Sequence, residues 1–258
     1  YVVYLEARRR ILSLDVQLVT TSSKNFFEDN GMQLVQSVEK KMGRGVLIYS
    51  EDQIEAKFQY SRFRHLENAP QVLSFVTEFR GKYQDKMQFM HYTQRMDKWI
   101  FKIAAISQYL KDFNQGNLLF LDADCVIKSK RACESISKFI EPALQYDLGI
   151  FRRYRTFMHP ESGFLFIRNS GVTREVFNDL LEQVLQWKFL DLPSWTDDSL
   201  IDRAILENRL HALDFCEFYG LTSGNPVYES SLRSVLLHLK GNRKGKYSHL
   251  KDFFGRYK

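Results

Sequence analysis

The chain of 258 residues is 44% hydrophobic with only 13 glycines and 5 prolines, enough to bury one large core and unlike a repeat or low-complexity protein. Its formal charge of +6 is modest, and no apolar run approaches the roughly 20 residues that span a bilayer, so no transmembrane segment is predicted. The amino terminus lacks a basic, apolar, small signal layout, and Cys125, Cys133 and Cys216 are odd in number and scattered; the expectation is a soluble, cytoplasmic domain without a disulfide framework.

Residues 1–14 read as a linker or leading helix, with Arg8-Arg9-Arg10 arriving from a possible neighbouring domain. Asp15 to Thr20 reads as a strand, and Thr21-Ser22-Ser23 as a turn able to cap the next helix, whose apolar face is Leu34, Val35, Val38 and Met42. Gly45 to Tyr49 is the second strand, ending in Ser50-Glu51-Asp52. Residues 53–95 show poor periodicity, so loops and short helices are predicted there. Trp99, Ile103, Ile106, Leu110 and Phe113 mark an amphipathic helix that feeds the strand beginning at Leu118. Leu148 to Phe151 and Gly163 to Ile167 are further strands, Val176 to Trp187 is a helix, Asp197-Asp198-Ser199 opens another, and Val235 to Leu237 is a last strand. Elements alternating in this way predict an α/β protein with three layers, α/β/α, about a mostly parallel sheet.

The chemistry gathers where Leu118-Leu119-Phe120-Leu121 stops at Asp122-Ala123-Asp124. Carboxylates disfavour strand interiors and are costly to bury unpaired, so a pair at the carboxyl end of a core strand points to a cation or a reacting group, and ligands of open α/β sheets bind at such strand ends. Mn²⁺ or Mg²⁺ takes oxygen ligands, commonly one or two carboxylates plus substrate phosphates. Near the end of the chain, His238-Leu239-Lys240-Gly241 follows a strand: the imidazole is a natural third ligand, Gly241 lets backbone approach a diphosphate, and Lys240, Lys244 and Lys246 can neutralise it. From Lys240 to Lys258 seven basic residues face the single acid Asp252, so this tail alone carries the whole formal excess. With no zinc knuckle and no aromatic ribonucleoprotein signature, nucleic acid is not expected as the partner.

Asp122-Ala123-Asp124 after an apolar strand, with a late His-x-Lys-Gly and downstream lysines, resembles the GT-A-fold glycosyltransferases, most closely the retaining family 8 type. The resemblance spans residues 15–247 in motifs rather than in continuous similarity. It departs from family 8 in the tail, where His-x-Lys-Gly-Asn-Arg-Lys stands for His-Phe-x-Gly-x-x-Lys-Pro-Trp. It implies a single GT-A catalytic domain over residues 15–258, with nucleotide binding at about 15–128 and the sugar and acceptor part at about 129–247. It implies that Thr20, Thr21, Ser22 and Asp52 serve the nucleoside, Asp122 and Asp124 hold Mn²⁺ (or Mg²⁺) with His238, and Ala123 lies in the turn between them. Lys240, Gly241, Lys244 and Lys246 would grip the diphosphate, Glu161-Ser162-Gly163 would line the sugar pocket, and Lys102 would meet the donor. Asp198 first and Asp197 second are the acids expected beside the sugar or acceptor. The implied partners are a nucleotide-sugar, with a UDP-sugar favoured, and a glycan or other hydroxyl acceptor; the late His-Lys-Gly favours retention of configuration.

Two other readings compete. Phe120 to Val126 also fits the haloacid-dehalogenase phosphatase pattern, in which the first Asp attacks phosphorus and the second is acid and base. That nucleophile normally opens the fold, its later acids follow an apolar strand, and His238 would have no task; here a strand, helix and strand come first and Leu192-Pro193-Ser194-Trp195 is no strand. A glycan-binding module without catalysis would suit the 14% aromatic content and the basic tail, but has no use for both aspartates with the histidine.

Overall fold

The computed structural model describes residues 16–54, 56–152, 160–222 and 226–238. A seven-stranded sheet is built from β1 (Val16–Thr21), β2 (Val46–Ser50), β3 (Arg62–His65), β4 (Asn117–Leu121), β6 (Leu148–Phe151), β7 (Glu161–Ile167) and β8 (Ala212–Asp214), in the order β3-β2-β1-β4-β7-β6-β8. A second, two-stranded sheet pairs β5 (Cys125–Ile127) with β9 (Leu236–His238). Every pairing in the large sheet is parallel except those of β7, which runs against both β4 and β6.

Alternation along the central strands sends residues to two cores. Val19, Leu118, Phe120, Leu165 and Ile167 face a layer with the helices Ala69–Lys82, Met96–Asp112, Gly171–Leu185 and Asp197–Leu206. Leu18, Leu119, Leu121, Phe164 and Phe166 face the helices Met32–Met42 and Ala132–Ile140 on the other side. Because both faces are covered, β2, β4 and β7 are apolar almost throughout, as strands buried on both faces must be. The three-layer, mostly parallel α/β architecture expected from the sequence is the one observed.

Several elements differ from expectation. Residues 53–95, expected as loops and short helices, contain β3 and the 14-residue helix Ala69–Lys82. That helix has the right spacing in buried Val72, Phe75, Val76 and Phe79, but exposed Leu73 and the terminal Pro70 and Gly81 blur the pattern. The helix expected from Val176 begins at Gly171, because Ser170 and Thr173 form a capping box: Thr173 N donates to Ser170 Oγ at 3.2 Å and Ser170 N to Thr173 Oγ1 at 3.0 Å. Glu161 and Ser162, expected just before a strand, are the first residues of β7.

The reversal of β7 sets up the functional end of the molecule. An antiparallel strand brings its amino end to the rim where its neighbours finish, and Leu121 pairs with Phe164, so Glu161, Ser162 and Gly163 stand beside Asp122.

Candidate active site

Beyond Leu121 the chain turns, with Asp122 N donating to Gly163 O at 3.0 Å and Cys125 N closing back on Asp122 O at 2.9 Å. Asp124 and Cys125 are thereby led into β5, where Cys125 pairs with His238 across the small sheet. Residues more than a hundred positions apart in sequence meet through three paired positions. His238 Nε2 lies 3.1 Å from Asp124 Oδ1 and 3.4 Å from Asp122 Oδ2, and Nδ1 lies 3.8 Å from Glu161 Oε1.

Gly163 is required by this crowding. A Cβ on it would fall 2.3 Å from His238 Cε1, 2.7 Å from Asp122 Oδ2 and 2.9 Å from Glu161 Oε1. Its N–H donates to Glu161 Oε1 at 3.1 Å, so the same backbone that admits the imidazole also orients the glutamate.

On the other flank of Asp122 the buried Lys102 reaches from the Met96–Asp112 helix. Its Nζ is 2.8 Å from Asp122 Oδ1 and 3.0 Å from Asp197 Oδ2, and it donates to Ser162 Oγ at 2.9 Å and Ser162 O at 3.3 Å. The two oxygens of Asp122 are thus divided, Oδ1 to the ammonium and Oδ2 to the imidazole. Asp197 and Asp198 open the Asp197–Leu206 helix, where the macrodipole favours negative charge, and Thr196 Oγ1 donates to Asp198 Oδ1.

The electrostatics follow from five acids gathered around two cations. Burial works against the Lys102 ammonium, but Asp122 and Asp197 outweigh it and raise its pKa above the ordinary lysine value. Burial likewise opposes the imidazolium of His238, yet hydrogen bonds to Asp122 and Asp124 and the charge of Glu161 push it up to about 9. Burial would raise Asp122, but Lys102 and His238 hold it well below the usual carboxylate range. Asp198 goes the other way: burial and then the neighbouring charge of Asp197 push it up to about 7, only partly offset by Thr196 and Lys102.

Asp122, Asp124 and His238 supply two carboxylates and one imidazole, the hard donor set of Mn²⁺ or Mg²⁺. Separations of 3.1 and 3.4 Å from His238 Nε2 to the two carboxylate oxygens suit one ion; octahedral bonds of ~2.1 Å put neighbouring ligands about 3 Å apart. Donor atoms of Asp122, Glu161 and His238 lie within 4.8 Å of one another, as do those of Asp124, Cys125 and His238. Cys125 was missed from the sequence. Its thiol is buried against Gly163 O at 3.8 Å and would suit a softer metal, whereas the oxygen-rich group suits a hard one.

The other expected residues are placed as follows. Ala123 is buried in the turn between the two aspartates. Thr20, Thr21 and Ser22 stand at the end of β1: Thr21 Oγ1 donates to Tyr49 O at 3.0 Å, Ser22 Oγ to Ser23 O at 3.1 Å, and Thr20 Oγ1 is buried without a partner among the described residues. Asp52 Oδ2 accepts from Lys24 N at 2.8 Å and so stabilises the turn after β1. Lys240, Gly241, Lys244 and Lys246 lie outside the described residues. Among the described residues no helix is long and apolar enough to cross a membrane.

No family model matches the chain, and a search of curated proteins finds no match. Solved structures to which it is similar include a glycosyltransferase involved in glycosylation of the major capsid of PBCV-1, at 13% identity over 91% of this chain and 99% of that one, TM-score 0.47. The glycosyltransferase GlyE of Streptococcus pneumoniae TIGR4 is 12% identical over 93% of this chain and 64% of its own, TM-score 0.49. Core-mannan synthase A (CmsA/Ktr4) of Aspergillus fumigatus, in its Mn/GDP form, is 8% identical over 75% of this chain and 70% of its own, TM-score 0.45. At such distances the chemistry of this site rests on its own geometry.

Proposed function

We propose that this protein is a metal-dependent glycosyltransferase of the GT-A type, moving a sugar from a nucleoside-diphosphate donor to a hydroxyl acceptor, with a glycan as the acceptor class. The observation that carries the reading is the convergence of Asp122 and Asp124, from the end of β4, on the imidazole of His238, from β9. A phosphatase would need Asp122 free to attack, and here both of its oxygens are held by cations. A glycan-binding module would have no return for burying Asp124, Glu161 and Asp197 with Lys102 and His238, an arrangement that is costly to desolvate.

Asp122, Asp124 and His238 would hold a divalent ion, which when bound would supply positive charge to the departing diphosphate. The chain's own residues do the rest. Lys102 fixes the Asp122 carboxylate and holds Asp197 in place, so both are oriented before substrate arrives. Gly163, having no side chain, leaves the His238 imidazole room to stand beside Asp122 and Glu161. Lys240, Gly241, Lys244 and Lys246 follow His238 directly in the chain and are assigned to the diphosphate. Asp198, with its pKa about 7, is the group suited to take the proton of the acceptor hydroxyl.

That last observation favours a second reading of the stereochemistry. A base poised on the acceptor is what single displacement with inversion demands, whereas under the retention expected from the sequence Asp198 orients the sugar and the leaving phosphate accepts the proton. The anomer of the first-formed product separates the two. The parent proposal is tested by a thermal-shift screen of nucleotide-sugars with and without Mn²⁺, followed by sugar-release assays on the hits. The right donor stabilises the wild type and not Asp122→Ala; the absence of a metal-dependent shift with every nucleotide would overturn the reading.

A further inference from the structure

A cavity of about 510 Å³ opens at the amino ends of β1, β2 and β3, with Gln17, Leu47, Tyr60, Arg62, Arg64 and Phe113 in its lining. Leu47 pairs with Arg62 and Tyr49 with Arg64, and paired residues share a face, so both arginines of this edge strand project to the side on which Leu47 and Tyr49 pack. Gln17 shares that face because it stands two residues before Val19, and Phe113 caps the Met96–Asp112 helix. This is not the catalytic end. Gln17 pairs with Leu118, four residues short of Asp122, so the cavity lies about 13 Å down the strands from the acids, and β3 is a further ~14 Å across the sheet from β4.

The wall is fixed before any ligand arrives. Glu39, from the Met32–Met42 helix, accepts from three successive amides: Gln59 N at 3.1 Å, Tyr60 N at 2.9 Å and Ser61 N at 2.7 Å. Ser61 Oγ in turn accepts from Val46 N at 3.0 Å. Gly45 admits the same segment, since a Cβ there would fall 2.1 Å from Tyr60 O. Tyr60 and Arg62 therefore leave a backbone that is clamped on both sides of Ser61.

Charge selects the ligand. Arg62 donates one N–H to Ser61 O at 2.8 Å, and no carboxylate of the described residues forms an ion pair with it or with Arg64. The neighbouring Asp112 is already met by Tyr49 Oη at 2.9 Å and Gln108 Nε2 at 2.7 Å. Residues i and i+2 of a strand stand about 6.7 Å apart, so two long guanidinium side chains can converge on one carboxylate or sulfate. Tyr60 is 45% exposed and Phe113 is half-buried, and aromatic rings offer flat apolar faces to a sugar ring. The volume suits a short oligosaccharide, within the roughly 300–1,000 Å³ of small-molecule sites. A nucleic acid fits less well, because two cations in a recess cannot follow a phosphate backbone.

We propose that this cavity is a second carbohydrate site, remote from the catalytic rim, that takes an acidic sugar: Arg62 and Arg64 hold its carboxylate or sulfate while Tyr60 and Phe113 flank the ring. The proposal rests on the glycosyltransferase reading for the source of the sugar, an acidic stretch of a glycan, and on the cavity itself for the chemistry.

The test is calorimetric titration of the whole chain in EDTA with tetragalacturonate, a heparin-derived tetrasaccharide, maltotetraose and a thymidine oligonucleotide of matching charge. One of the two acidic saccharides is expected to bind about tenfold or more tighter than maltotetraose and the oligonucleotide, and which one it is separates carboxylate from sulfate. Affinity should be unchanged in Asp122→Ala and should fall about tenfold or more in the double variant Arg62→Ala, Arg64→Ala, whose melting temperature should match the wild type because both side chains are exposed. Binding of neither acidic saccharide, equal binding of maltotetraose or of the oligonucleotide, loss in Asp122→Ala, or unchanged binding in the double variant, as the basic run from Lys240 to Lys258 would give, would each overturn the inference. The glycosyltransferase reading is judged separately, by Mn²⁺-dependent binding of nucleotide-sugars.

Discussion

Two stretches of the same rim treat their polar groups in opposite ways. Around the ends of β4, β7 and β9 the acids are crowded and are met from within by Lys102 and His238. Along the ends of β1, β2 and β3 the side chains are held by hydrogen bonds to backbone: Thr21 Oγ1 donates to Tyr49 O, Asp52 Oδ2 accepts from Lys24 N and Ser50 Oγ accepts from Asp52 N. The difference lies in the cost of burying charge. Unpaired buried charges would cost several kcal/mol each, so the acid cluster needs resident cations to fold, whereas hydroxyls and turn carboxylates at the strand ends are satisfied by the backbone groups beside them.

The sharpest way to break this comparison is to remove the charged side. Asp124→Ala or Asp122→Asn is expected to lower sugar transfer by about a thousandfold or more while far-ultraviolet circular dichroism stays that of the wild type. Lys102→Met leaves Asp122 and Asp197 buried without their cation; denaturant unfolding should show a loss of about 3–5 kcal/mol. Gly163→Ala forces a methyl group against His238 and Asp122, with an expected cost of about 1–3 kcal/mol and weakened Mn²⁺ binding in a metal titration.

Protonation gives smaller effects with definite signs. In the metal-free protein His238 has a folded pKa of about 9 against an ordinary 6.5, so its stabilising contribution is complete below 6.5 and disappears as pH rises through 9. Melting temperature should therefore fall across that window, and His238→Gln should flatten the fall. Asp122 is depressed below 3.8, so its contribution is present above that value and is lost as pH drops further. Asp198 has the reverse sign: its folded pKa of about 7 penalises the fold above 7 and not below 3.8. Asp198→Asn is expected to gain about 1–3 kcal/mol of stability at pH 8, a gain that vanishes near pH 4, while transfer activity falls.

Much of the charged side was legible in the chain. An apolar strand that stops at Asp122-Ala123-Asp124 is a local signal, and so is a histidine closing a strand near Leu237. The helix phase that set Ile103 and Ile106 inward also placed Lys102 close to the sheet. The direction of β7 was not legible, since a strand buried on both faces carries no mark of its orientation. The pairing of β5 with β9 rests on three residues from each strand, too short for any periodicity. β3 is four residues long with charged Arg62 and Arg64, as suits an edge strand, and it hid in a polar stretch.

Central to the account is one ion held jointly by Asp122, Asp124 and His238. Anomalous diffraction from crystals grown with Mn²⁺ and a nucleoside diphosphate tests it directly. The expected result is a single strong peak among those three side chains, next to the diphosphate. A peak elsewhere, or nucleotide bound with no metal at these residues, would contradict the account.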